Sequence, residues 1–434
     1  MTTETINAKR QQSVVALVGL TAVPGLMLRF GSFGAPHWVD AFLFGVSVVS
    51  AAFMLAWGAE VIQLDVSAGL ALALLALIAV LPEYAVDFVF TKHAGEQFAK
   101  LGSCGSGTTN PCHLALANMT GSNQLLVGLG WSSVVLVAAL RVRKRNRVSA
   151  TQPLQPAVAA QFELERSHAV EIAFLTIACV WGLTLPMRRS LGLIDAAVLV
   201  AIFVAYVVRI ARAPSEEPHL VGPAQWIATF SVARRRATIA LLFIVAATII
   251  VLCAEHFASA LVETGKQAGV SEFLLVKWLA PLASEAPEFI VALLFAWRLN
   301  TGAALGALVS SKLNQWTLLV GTLPIVFAIS SGGWHGLPLD TTQRLELFVT
   351  GAQSVFAIGV LASRSMSIRE AQAMLGIFIV QFVLQGVLSG SAEERSRLVV
   401  GIFYLVTAAW LIGRERNSMR AILRDGFRTP YSEM

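Results

Sequence analysis

Apolar residues in this chain fall into long runs separated by short polar segments. Most runs approach the ~20 residues a helix needs to cross a bilayer. They lack the period-2 alternation of strands, and most lack a polar stripe, so they read as helices surrounded by lipid or by other helices. We place about twelve spans, near residues 13–30, 38–63, 68–91, 112–140, 168–186, 190–210, 237–262, 270–297, 302–330, 347–365, 369–390 and 395–413. The widest polar gaps are 141–167, with Arg141, Arg143, Lys144, Arg145 and Arg147, and 211–236, with Arg212 and the run Arg234, Arg235, Arg236. The predicted fold class is all-α and membrane-embedded.

Two passages interrupt this pattern with acids. The first is Ala79-Val80-Leu81-Pro82-Glu83-Tyr84-Ala85-Val86-Asp87, and the second is Ala283-Ser284-Glu285-Ala286-Pro287-Glu288-Phe289-Ile290-Val291. A carboxylate at the bilayer centre costs about 2.5–3.5 kcal/mol even on the lenient insertion scale. Carrying that cost twice, in matching places, points to one ion site assembled from two halves. Each acidic helix is followed by one with small and polar residues, Asn118-Met119-Thr120-Gly121-Ser122-Asn123 in the first case and Gly306 to Lys312 in the second.

Composition agrees with the spans: 56% of residues are hydrophobic and 13% charged, against about 25% charged in a soluble domain. The net charge of +6 sits in loops and orients the chain rather than binding nucleic acid. With a cytoplasmic N-terminus and alternating spans, about 21 of the 32 Lys and Arg fall inside, as the positive-inside rule requires. Both termini are then cytoplasmic. The first apolar run, Val14 to Leu28, lacks a small-residue cleavage site and reads as a span. Cys104 and Cys112 share a Gly-rich loop on the outer side, where a disulfide is chemically allowed; the sequence leaves that bond open. Cys179 and Cys253 read as packing residues. No CxxC, HExxH or nucleotide-binding motif is present.

Five spans separate the acidic motifs, so one motif helix runs outward and the other inward, the arrangement of an inverted repeat. A weaker echo, Gly58-Ala59-Glu60 against Cys253-Ala254-Glu255, precedes them. Pro82 and Pro287 each stand one residue before a Glu, and an intrahelical proline frees a carbonyl about four residues earlier. Freed carbonyls and carboxylates are hard oxygen ligands suited to sodium or calcium. Glu83 and Asp87, four apart, share a helix face; Asp87 reads as a vestibule acid or proton relay. Glu285 and Glu288, three apart, face the same way. Asn118 and Asn123 offer amide oxygens to a cation. Lys312 lies deep in a span, where an ammonium needs a partner; Glu83, Glu285 and Glu288 are the obvious ones.

These residues resemble the paired α-repeats of the sodium/calcium exchanger (calcium/cation antiporter) superfamily, a Gly-Thr-Ser-x-Pro-Glu helix followed by a Gly-Asn-x-x-Gly-Ser-Asn helix in each half. Leu81-Pro82-Glu83 and Asn118 to Asn123 match the first repeat; Ser284 to Glu288 and Gly306 to Ser311 match the second. The resemblance implies an inverted-repeat 5+5 antiporter core with extra terminal helices. It implies a cation site of Glu83, Glu288, Asn118, Ser122, Asn123, Ser284, Glu285 and Ser311, with Asp87 and Lys312 coupling or balancing charge. The chain departs from the family pattern in having Ile78-Ala79-Val80 for Gly-Thr-Ser, Ala307 for the second Asn, and Lys312 for the Asn after Gly-Ser. Fewer neutral oxygens and an added carboxylate favour proton coupling.

The expected organisation is an N-terminal tail and extra helix (1–37), a first half (38–210; motifs 79–91 and 112–130), a basic cytoplasmic linker (211–236), a second half (237–390; motifs 279–298 and 302–321), and an extra helix with a basic tail (391–434). The expected function is secondary antiport of calcium or sodium against protons or sodium, by alternating access. The alternatives are a sodium/proton exchanger that does not carry calcium, and a non-transporting sensor or scaffold. No enzyme, cofactor or nucleic-acid partner is expected. The expected partners are inorganic cations and the lipid bilayer, and the expected location is a bacterial inner membrane.

Overall fold

The computed structural model describes residues 8–31, 36–65, 81–105, 110–148, 161–213, 220–269 and 272–434. The longer helices in chain order are α1 (Ala8–Phe30), α2 (His37–Ile62), α3 (Leu81–Leu101), α4 (Pro111–Leu125), α5 (Ser132–Val148), α6 (Ala169–Gly182), α7 (Leu193–Ile210), α8 (Val232–Ala268), α9 (Ala280–Trp297), α10 (Thr301–Asn314), α11 (Val320–Ser330), α12 (Thr341–Val360), α13 (Ile368–Val387), α14 (Gly390–Arg414) and α15 (Arg416–Phe427). Among the described residues, ten continuous helical stretches are long and apolar enough to cross a membrane, and Leu275–Ala286 with Glu288–Trp297 adds an eleventh, broken span. Of the expected span 68–91, residues 66–80 lie outside the described residues, and the rest begins α3.

The chain divides into two compact units. One comprises Met1–Phe90 and Ile210–Glu288, the other Thr91–Arg209 and Phe289–Met434. Each unit therefore draws helices from both halves of the sequence, and two of the three division points fall inside the motif helices α3 and α9.

In the first unit α2 packs against both α1 and α8. Small residues permit close approach where lipid offers no hydrophobic drive between helices. A Cβ at Gly58 would lie 2.5 Å from Phe243 Cε1, so only glycine fits there. Polar side chains join α1 to α2: Ser47 Oγ donates to Ala22 O (3.0 Å), and the Thr21 and Ser50 hydroxyls are 2.9 Å apart. Beyond the end of α2, Asp65 takes two hydrogen bonds from Arg235 of α8 (2.8 and 2.7 Å). The Arg235 hydrogen bond is the main cause holding the Asp65 carboxyl below its ordinary range.

In the second unit α4 is buried along almost its whole length. Asn110 begins it by accepting from the N–H groups of Cys112 (2.8 Å) and His113 (3.2 Å), and Pro111 fills the first turn, where no N–H is needed. Cys104 and Cys112 form a disulfide. The N-terminal end of α4 is tied to α12, because Gln343 donates to Cys112 O (2.8 Å) and His113 pairs with Asp340. Asp340 and Gln343 also close a capping box that starts α12.

The helix widens beyond α4. Leu126–Trp131 is π-helical before α5, and Gln315–Leu319 is π-helical between α10 and α11. The two stretches begin 189 residues apart, the offset that also relates Ser122 to Ser311. The matched distortion marks α4–α5 and α10–α11 as repeat counterparts, and π turns often occur where a helix carries function. Two short antiparallel ladders, Gln161–Glu163 with Ser365–Ser367 and Ser190–Leu191 with Leu337–Pro338, clip loops together at the ends of spans.

Candidate cation-binding site

The first unit holds the acids. Glu83 and Asp87 of α3 are both buried, as are Ser284 and Glu285 of α9. The i, i+4 spacing stacks Glu83 and Asp87 on one face, as expected. Glu83 of α3 and Glu288 of α9 belong to this same unit, one from each motif helix. Glu288 Oε1 is shielded from solvent and has no hydrogen-bond partner among the described residues. Ser284 Oγ donates back to the helix, to Ala280 O (3.3 Å) and Pro281 O (3.2 Å), which leaves its lone pairs outward. Among the described residues, no three His, Cys, Asp or Glu side chains converge as a metal site. A cation with 6–8 oxygen ligands would therefore need amide, hydroxyl and carbonyl oxygens as well.

The second unit holds the amides, hydroxyls and the buried lysine. Asn118, Ser122, Asn123 and Lys312 are fully buried. Asn123 Nδ2 donates to Met119 O (2.9 Å), which aims Oδ1 outward to accept from Lys312 Nζ (2.7 Å); Asn123 O accepts from the same ammonium at 3.3 Å. The ammonium also lies 4.8 Å from the Trp316 ring centroid, a favourable cation–π distance. Ser311 Oγ is buried with no hydrogen-bond partner among the described residues. The residues expected to act together fall in two groups, Glu83 with Glu288 in the first unit and Asn123 with Lys312 in the second. Lys312 Nζ thus bonds its repeat counterpart, Asn123.

A polar network next to this pair escaped the sequence reading. Gln124 donates to Thr350 Oγ1 (2.6 Å) and Glu346 Oε2 (3.4 Å), and accepts from Gln381 Nε2 (2.7 Å). Glu346 accepts from Arg397 Nε (2.6 Å), Arg397 also reaches Glu393 (2.6 Å), and Tyr404 donates to Gln381 (3.1 Å). Glu346 and Arg397 are both buried. Each sits close to an apparent span edge in the sequence, where a charge reads as a flank; their separation of 51 residues gives no local pairing signal. The network joins α4, α12, α13 and α14, so the terminal helix α14 completes the polar interior of this unit.

The fold and the paired motifs define a helical secondary cation antiporter that works by alternating access, built on inverted repeats with extra terminal helices. The sequence pattern of the sodium/calcium exchanger protein family matches residues 37–211 and 238–387. The chain belongs to that family. Its structure is similar to the crystal structure of the H+/Ca2+ exchanger CAX, with 35% identity, 96% of this chain and 99% of that chain covered, and a TM-score of 0.84. It shares its fold with native YfkE (15% identity, 87% and 99% covered, TM-score 0.55) and with the selenium-substituted Ca2+/H+ antiporter protein YfkE (15%, 90% and 99%, 0.55). No curated protein matches the sequence. The chain is an integral membrane transporter of inorganic cations.

Proposed function

We propose that this chain exchanges Ca2+ for protons, with Glu83 and Glu288 binding each in turn. The observation that carries this reading is that two acids, one from each motif helix, fall in one unit, with Glu83 buried and Glu288 Oε1 shielded and without a hydrogen-bond partner among the described residues. Two carboxylates inside an apolar span region need two positive charges, which one Ca2+ or two protons supply equally. The same pair can therefore serve both ions in turn. The CAX exchanger, 35% identical over most of this chain, carries the same two ions in its description.

The remaining ligands in this reading are Ser284 and Glu285 of α9, Asn118, Ser122 and Asn123 of α4, and Ser311 of α10. Glu288 Oε1 and Ser311 Oγ, both shielded and without hydrogen-bond partners among the described residues, are oxygens a cation can use. Asp87 acts as a relay for protons. Lys312 balances charge where its repeat counterpart is an amide. The halves 38–210 and 237–390 act as the two repeats, joined by the basic linker 211–236, with 1–37 and 391–434 as additions. The termini face the cytoplasm of a bacterial inner membrane.

The test is uptake by vesicles containing the purified protein under an imposed pH gradient, with Ca2+ and Na+ followed separately. Ca2+ uptake tied to proton efflux, lost in Glu83→Gln and in Glu288→Gln, is the expected result. Sodium movement without calcium selects the sodium/proton alternative. Uptake that survives both substitutions removes these residues from the site.

A further inference from the structure

We propose that α15 binds the headgroups of anionic phospholipids through an arginine stripe along its outer face. Arg416, Arg420 and Arg424 recur every four residues, so they line one side of the helix, and Arg428 follows at its end; all four are exposed. The opposite side, Met419, Ile422, Asp425 and Gly426, is buried against the protein. Gly426 seats against α6 so closely that a Cβ would lie 2.7 Å from Ala169 O. The apolar face of this amphipathic helix is therefore already covered by protein, and what it presents outward is charge.

Three contacts place α15 at the level where spans end. Its first residue follows Glu415, directly after the last residue of α14. Exposed Trp410 lies one turn before that end, with the Arg414 guanidinium 5.2 Å from its ring centroid, the pairing expected at a membrane interface. At the far end, Arg209 in the last turn of α7 donates to Gly426 O (3.1 Å) and to Thr429 O. In between, Arg166 at the start of the span leading into α6 pairs with Asp425 (2.8 Å). A helix held at the ends of three spans lies along the interface, and its stripe is at headgroup height.

The nearby acids leave Arg416 and Arg420 without a counter-charge, although Asp425 reaches Arg424 of the stripe. Glu415 accepts from Arg414 (3.2 Å), and Asp425 from Arg166 and Arg424. Arginines spaced at i, i+4 repel one another, so an external anion is the natural counter-charge. Phospholipid phosphate supplies it in a plane, as a linear stripe requires, and a juxtamembrane arginine near such a surface adds about fivefold in affinity.

The test uses the full-length protein in neutral detergent. Phosphatidylglycerol or phosphatidylcholine is added, and retained lipid is read by native mass spectrometry alongside the melting temperature. Phosphatidylglycerol should be retained and should raise the melting temperature, whereas phosphatidylcholine should do neither. The R416Q/R420Q/R424Q variant should lose about 100-fold in phosphatidylglycerol affinity. The R416Q/R420Q variant leaves the Asp425 contacts intact and should lose about 25-fold. Both variants should still exchange cations in phosphatidylcholine vesicles, which shows that they are folded. Equal phosphatidylglycerol retention by wild type and variants overturns the proposal. So does stabilisation by inorganic phosphate alone that matches the lipid, because the site would then recognise free phosphate.

Discussion

Asn123 and Lys312 occupy the same position in the two repeat helices, 189 residues apart, and bond directly to one another (Oδ1 to Nζ, 2.7 Å). A position that the family pattern fills with an amide twice is here an amide once and an ammonium once. Symmetric sites would accept a cation between two amide oxygens. Replacing one amide by a buried lysine places a permanent cation against the other.

Two substitutions separate the structural from the transport role of this lysine. Asn123→Ala removes an acceptor from a buried ammonium and should cost about 1.5–3 kcal/mol, seen as a lower melting temperature in detergent. Lys312→Asn restores an amide pair, which can still hydrogen-bond, and should melt near the wild type. If Lys312 stands in for a transported ion, this variant should gain stimulation of Ca2+ uptake by a sodium gradient. Unchanged sodium insensitivity would confine Lys312 to a structural role.

The extent to which this protein was legible differs by element. The spans were readable because lipid enforces a length and an apolarity on each helix that no soluble core requires. The acids Glu83 and Glu288 stand out because each breaks that apolarity beside a proline, once in each motif. The network through Gln124, Glu346 and Arg397 was not, because its members come from separate helices and two of them mimic the charged flanks of spans. The π-helical turns after Leu125 and Asn314 were invisible too. They alter hydrogen-bond register without any residue type that announces it.

Arg397 illustrates what that hidden network does. Its guanidinium and the Glu346 carboxylate are both buried, and removing one partner from such a pair costs about 3–5 kcal/mol, because a buried charge is left uncompensated. Arg397→Leu should therefore lower the melting temperature sharply. Removing both charges, with Glu346→Gln and Arg397→Leu, should recover most of the loss, because the amide can still bond Gln124. A double variant no more stable than Arg397→Leu would show that α14 contributes by packing alone.

The Cys104–Cys112 bond closes a short loop between α3 and α4, with a sequence separation of 8. Loop-closure entropy for a ring of that size amounts to about 2–3 kcal/mol in the unfolded state. Reduction with dithiothreitol, or Cys104→Ala with Cys112→Ala, should lower stability by about that amount. Thiol labelling with and without reductant, alongside thermal melting, checks both the bond and its contribution. Maleimide labelling without reductant, or no change in melting on reduction, would exclude a stabilising bridge.

Acid should loosen α15 before it affects the spans. Asp425 is held at about 2, below its ordinary 3.8, first by the hydrogen bond from Arg166 and further by Thr429 and Arg424, against the opposing effect of burial. A carboxyl depressed by folding contributes stability that is complete above its unfolded value and is lost as pH falls toward its folded value. The contribution of Asp425 should therefore be whole above about pH 4 and decline between about pH 4 and pH 2. Arg166 and Arg424 are both partly exposed, so the effect should weaken in high salt. Proteolysis at the arginines of α15 over this pH range, using an acid-stable protease, measures it. Asp425→Asn should expose the helix equally at all pH values, and an unchanged pH profile in that variant would assign the loosening to another group.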